Sequence, residues 1–224
     1  LALACLAAPL AVTGAPAAAA DETPSVAVTA IVEHPALNAV RDGVRDELTE
    51  NGYIPGESLK FTFDTAQGNP AIAAQIARRY AGQGHDVIVG VSTPSAQAAV
   101  AATSDVPVIF SAVTDPETAR LVQNADHPEG RVTGVSDRSP VRKQLKLIRE
   151  TMPEAETVGV IYNPGEANSV KILELLKQHA PEFDFTIAES VAPKSSAVLS
   201  AARNLVGKAA AIYLPTDNPI VSAL

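Results

Sequence analysis

Small polar and acidic residues gather in this chain where apolar runs stop. Val87–Val91 is followed by Ser92-Thr93-Pro94-Ser95, and Val106–Phe110 by Ser111 and then Thr114-Asp115-Pro116. Val158–Tyr162 leads into Asn163-Pro164-Gly165-Glu166-Ala167-Asn168-Ser169, and Ala209–Leu214 into Pro215-Thr216-Asp217-Asn218-Pro219. Gln67 lies in the polar loop after the weaker run Ser58–Phe63. Hydroxyls and free backbone N–H groups at the helix starts Thr93–Ser95 and Asn168–Ser169 can hold a carboxylate. An ammonium needs acidic acceptors, and Asp115, Glu166 and Asp217 supply them. The set suits a zwitterion. For any single Ser, Thr or Asn, helix capping is the plainer role, and each acid also complements a nearby helix dipole.

Motifs for catalysis fail on inspection. His34, His85, His127 and His179 are far apart and lack metal-ligand spacing. Gly82-Gln83-Gly84 precedes a strand, whereas a dinucleotide loop comes after one. Gly207-Lys208 lacks the upstream glycine and the following hydroxyl of a phosphate loop. Gly134-Val135-Ser136-Asp137-Arg138 lacks the second glycine of a nucleophile elbow. The expectation is a binding protein that is not an enzyme and uses neither metal nor cofactor.

The elements that must position these residues alternate. Apolar runs at Val26–Val32, Val87–Val91, Val106–Phe110, Val132–Val135, Val158–Tyr162, Phe183–Ile187 and Ala209–Leu214 read as strands. Between them, His34–Glu50, Ala71–Ala81, Ser92–Thr103, Pro140–Thr151, Val170–His179 and Ser195–Val206 read as helices, with a shorter one at Thr118–Gln123. Strands nearly all apolar and alternating with helices specify an α/β protein with parallel sheets. In such sheets ligands bind beyond the carboxyl ends of the strands. The Thr-Asp pair after Val108–Phe110 recurs after Ile212–Leu214, which points to two similar Rossmann-like lobes, 25–135 and 136–224, each bringing a Thr-Asp to a shared cleft.

The chain has 224 residues, 46% hydrophobic and 19% charged, with a formal net charge of -8. That balance, without any basic cluster, argues against a nucleic-acid surface. Leu1–Ala20 is uncharged, rich in Ala and Leu, and ends in Ala17-Ala18-Ala19-Ala20 before Asp21-Glu22. It reads as a secretory signal without its basic start, interrupted by Pro9, Gly14 and Pro16 and so too broken for a membrane span. The expected mature chain starts near Asp21, outside the cytoplasm. The lone Cys5 offers lipidation as a less favoured alternative.

The runs GVSTPSAQAAVAAT, PVIFSAVTDPETARLV, VTGVSD, VGVIYNPGEANS and AIYLPTDNPIVSAL resemble the TrpX-like solute-binding proteins of ABC transporters. The resemblance covers Val26–Leu224 and implies the two-lobed type I periplasmic binding protein fold. It also implies an aromatic amino acid ligand (tryptophan, phenylalanine or tyrosine) and a membrane permease as partner. By that similarity Gln67, Ser92, Thr93, Ser95, Thr114, Asp115, Asn163, Glu166, Asn168, Ser169, Asp217 and Asn218 line the interlobe pocket. Members of the group run well past this length, which implies an incomplete second lobe. Alternatives with the same two lobes are the sensing domain of a receptor, which needs a later membrane span, and a regulator, which needs a helix-turn-helix ahead of the first strand.

Overall fold

Strand and helix alternate because the apolar runs are long enough to be buried on both faces and the intervening segments carry one apolar stripe each. The structure, a computed structural model, describes residues 23–224; the expected leader and Cys5 lie outside the described residues. The first lobe contains β1 (Ser25–Ala30), α1 (Pro35–Glu50), β2 (Lys60–Thr65), α2 (Pro70–Gly82), β3 (Val87–Val91), α3 (Thr93–Ala102), β4 (Val108–Val113) and β5 (Val132–Ser136). The second contains α4 (Val141–Thr151), β6 (Thr157–Tyr162), α5 (Ala167–His179), β7 (Thr186–Val191), α6 (Val198–Arg203), β8 (Ala211–Tyr213) and α7 (Asn218–Val221). All strand pairs are parallel, in a five-stranded sheet ordered β2-β1-β3-β4-β5 and a three-stranded sheet ordered β7-β6-β8.

Both orders reverse direction, at β1/β3 in the first sheet and at β6/β8 in the second. At such a switch the connections leave on opposite faces and open a crevice above the strand ends. Each sheet is buried on both sides. In the first, Ile88, Val108 and Phe110 pack with Tyr80 and Ala96 on one face, while Val28, Val89 and Val91 pack with Leu37, Val40 and Val44 of α1 on the other. In the second, Val158 and Val160 meet Leu145, Ile172 and Leu176, and Ile161 meets Ala201, Leu205 and Ile220. Gly90 lets α3 lie directly on β3: a Cβ there would come within 2.6 Å of the Ala96 Cα.

Four elements differ from the sequence expectation. The strand expected at Val106–Phe110 runs Val108–Val113, so Ser111 lies inside it rather than beyond its end. Thr118–Gln123 is a set of turns, because Arg120 takes a left-handed conformation (φ 58°) that stops the helix after its first turn. The strand expected at Phe183–Ile187 begins at Thr186. Pro181 carries α5 on into a 3-10 turn over Ala180–Phe183, closed by Asp184 in the left-handed region. The helix expected over Ser195–Val206 is shorter: a 3-10 turn at Ser195–Ala197 precedes α6, which ends at Arg203.

Candidate functional site

Local chain geometry at the end of β3 builds the first wall of a cleft. Ser92 comes after Val91 with φ 75° and ψ 158°, a region that only glycine adopts freely, so its backbone is strained. Its amide donates to the Ser111 carbonyl at 2.9 Å, tying the end of β3 to β4. One residue on, Ala112 takes φ 52° where the β4–β5 register shifts between Phe110 and Val113. Held this way, Ser92 and Thr93 are only 4% and 2% exposed, and neither hydroxyl has a partner. Buried hydroxyls left unpaired lose their water without compensation. Here they stand at the start of α3, whose first-turn amides lack an intrahelical partner, Pro94 having no N–H to contribute.

The second lobe supplies the opposite wall from α5 and α7. Asn168 Nδ2 donates to Glu166 Oε2 at 3.1 Å and to the Thr216 carbonyl at 2.8 Å. Both partners are acceptors, which fixes the amide orientation. Asn168 Oδ1 is therefore the free atom, and it is buried without a partner. Glu166 also accepts from the Asn218 amide (3.2 Å) and Asn218 Nδ2 (2.8 Å). Burial, and then the nearby charge of Asp217, push the Glu166 carboxyl up; the Asn168 and Asn218 donors oppose that shift. Glu166 thus orients two cleft side chains from behind.

Between these walls lies a cavity of about 380 Å³. Its polar lining is Ser92, Thr93, Ser111, Thr114, Ser136, Asp137, Asn168, Thr216 and Asn218, with His34 at the start of α1. Leu37, Val40, Ala112, Val135 and Val221 make the apolar side. Thr114 and Thr216 come from different lobes, and their hydroxyl oxygens are 3.3 Å apart. Asp137 stands just past the end of β5 and is exposed to solvent. The protein around it raises its carboxyl above the usual range, against the opposing effects of its own amide and the Thr114 hydroxyl. His34 caps α1, its Nδ1 accepting from the Ala36 amide at 3.3 Å, so its neutral form carries the proton on Nε2.

The family-model comparison matches residues 25–224 to "ABC transporter substrate binding protein". The chain belongs to that substrate-binding family. A "Tyrosine-binding protein" of Clostridioides difficile (strain R20291) is 38% identical over 200 residues, which is 89% of this chain and 58% of that relative. The chain therefore spans somewhat over half the length of the curated relative it matches. A solved ABC domain in complex with L-Trp from Streptococcus pneumonia is 34% identical, with TM-score 0.86 over 90% of this chain and 68% of that one. The ligand-free, open structure of a substrate-binding protein with adhesive properties from Clostridium difficile is 39% identical, with TM-score 0.63 over 89% of this chain and 68% of that one. The fold is that of type I periplasmic binding proteins.

Of the residues singled out in the sequence, Ser92, Thr93, Thr114, Asn168 and Asn218 come together in this cleft, along with Ser111. The others lie elsewhere. Ser95 in α3 is fully buried with its hydroxyl also unpartnered, and it does not line the cavity. Asp217 is fully buried, accepting from the Asn163 amide (2.6 Å), Ser169 Oγ (2.5 Å) and the Ile220 amide (3.1 Å), and Ser169 is buried with it. Asp115 caps the Thr118 amide at 3.0 Å and pairs with Lys171 at 3.3 Å. Gln67 lines a separate crevice with Lys194 and Ser195, and Asn163 and Glu166 line another with Pro94 and Gln97. Sequence reasoning missed Asp137, although it stands just past Val132–Ser136 and obeys the same strand-end rule. It also missed His34, Leu37 and Val40, which reach the cleft because α1 starts directly above the β1/β3 switch.

Proposed function

We propose that this chain is the extracytoplasmic binding component of an ABC importer that closes its two lobes on a free aromatic amino acid and presents it to a membrane permease. The observation that carries this reading is the combination of unpaired, buried Ser92, Thr93 and Asn168 in an apolar-sided cleft between the lobes. The ligand carboxylate takes the Ser92 and Thr93 hydroxyls and the N–H groups at the start of α3. Its ammonium donates to Asn168 Oδ1 and Asp137. The ring lies against Leu37, Val40, Val135 and Val221. Burying an aromatic side chain removes roughly 150–250 Å² from water, worth about 4–6 kcal/mol at ~25 cal/mol per Å². A sugar would leave its hydroxyls unpaired against that face, and a phosphate ester would meet the charge of Asp137. The tyrosine-binding relative and the L-Trp complex support the same ligand class.

Calorimetry on the full-length protein tests it. At least one of L-tryptophan, L-tyrosine and L-phenylalanine should bind in the micromolar range or tighter, and Ser92→Ala with Thr93→Ala should abolish most of that affinity. Binding of a sugar or a phosphorylated compound, with no response to any amino acid, overturns the reading.

A further inference from the structure

The ion pair between Lys171 and Asp115 joins the two lobes at 3.3 Å, yet neither residue lines the cleft. Asp115 stands directly after Thr114, and Lys171 lies one helical turn after Asn168 on α5. The pair therefore sits immediately behind the side chains that each lobe presents to the ligand. Its acid and base are 12% and 26% exposed, enough removed from water for the attraction to count. Asp115 is already fixed by the Thr118 amide, so little freedom is lost when lysine arrives. Burial works against its charge, but that amide, Lys171 and Arg138 outweigh burial and hold the carboxyl below its usual range. A 3.3 Å contact across the cleft cannot persist when the lobes separate.

We propose that Lys171 and Asp115 form a latch: positioning residues that stabilise the closed arrangement and raise ligand affinity without touching the ligand. This rests on the reading of the cleft as an amino acid site. Apparent affinity scales with the population of the closed, binding-competent form. The latch raises that population in the free protein and slows ligand release.

Lys171→Met keeps the aliphatic stem without the charge, and Asp115→Asn keeps a capping oxygen for Thr118. In the full-length protein, with L-tryptophan and L-tyrosine as probes, each single variant should bind about three- to tenfold more weakly, mainly through faster dissociation. The double variant should lose no more than the worse single one, since both remove the same interaction. Ligand-free lobe separation, measured between spin labels at the exposed positions 57 and 208, should lengthen in every variant. If Asp115→Asn weakens binding while Lys171→Met strengthens it, Asp115 holds the ligand itself and the latch is overturned. Unchanged distances in both variants overturn it as well. If the unmodified protein binds no amino acid, the ligand reading falls, and the distances still decide the latch.

Discussion

Ser169 Oγ donates to Asp217 Oδ2 at 2.5 Å, joining the start of α5 to the start of α7. The same carboxylate oxygen takes the Asn163 amide at 2.6 Å, and its other oxygen caps Ile220. Burial pushes the Asp217 carboxyl up, while Ser169 and the Asn163 and Ile220 amides oppose that shift. Asp217→Ala leaves the Ser169 hydroxyl and the Ile220 amide without an acceptor and the Asn163 amide with only the Ser169 oxygen at 3.2 Å, which should lower stability by about 2–4 kcal/mol. Thermal melting reads that loss, and affinity measured well below the midpoint should change only severalfold. An affinity loss with an unchanged melting temperature would place the carboxylate on the ligand instead.

If the cleft holds an amino acid as proposed, Asp137 should give its binding a pH dependence. Its raised carboxyl must be ionised to accept the ligand's ammonium, so binding favours the charged form and releases a proton when that form is scarce. Affinity should therefore be constant near neutrality and fall on acidification, starting above the ordinary aspartate range of about 3.9. Asp137→Asn should weaken binding by about tenfold at neutral pH and flatten the profile. A profile unchanged in that variant would rule Asp137 out.

In the proposed reading, Ser92 sets stability against binding. Its backbone, at φ 75° and ψ 158°, belongs to glycine's region, where other residues are strained by about 1–3 kcal/mol. Ser92→Gly releases that strain, offset in part by the extra freedom glycine has when unfolded. A net gain of about 0.5–2 kcal/mol in denaturant unfolding is expected. Affinity for the aromatic amino acid should fall in the same variant because the hydroxyl is lost. Loss of stability together with unchanged affinity would remove Ser92 from the site.

Strand ends were legible because the signal there is local. Val87–Val91 and Val158–Tyr162 are apolar without interruption, and the chain must turn and cap a helix as soon as each run stops. Ser92, Thr93 and Asn168 could therefore be placed just past strand ends by position alone. The displaced strand at Thr186 was less legible, because Pro181 can either end α5 or prolong it as a 3-10 turn. Arg120 is similar: nothing in its neighbours announces the left-handed backbone that stops the helix expected at Thr118–Gln123.

The two Thr-Asp pairs mark the limit most sharply. By itself the sequence determined the α/β class and the polar set that follows β3 and β6, since periodicity and capping act over a few residues. Which member of each pair meets the cleft was decided by tertiary structure alone. In both, threonine lines the cavity and aspartate turns away, Asp115 to Lys171 and Asp217 to Ser169 and the Asn163 amide. Those partners lie dozens of residues from the acids they hold. A buried carboxylate goes wherever donors desolvate with it, and only the packed fold brings those donors within reach.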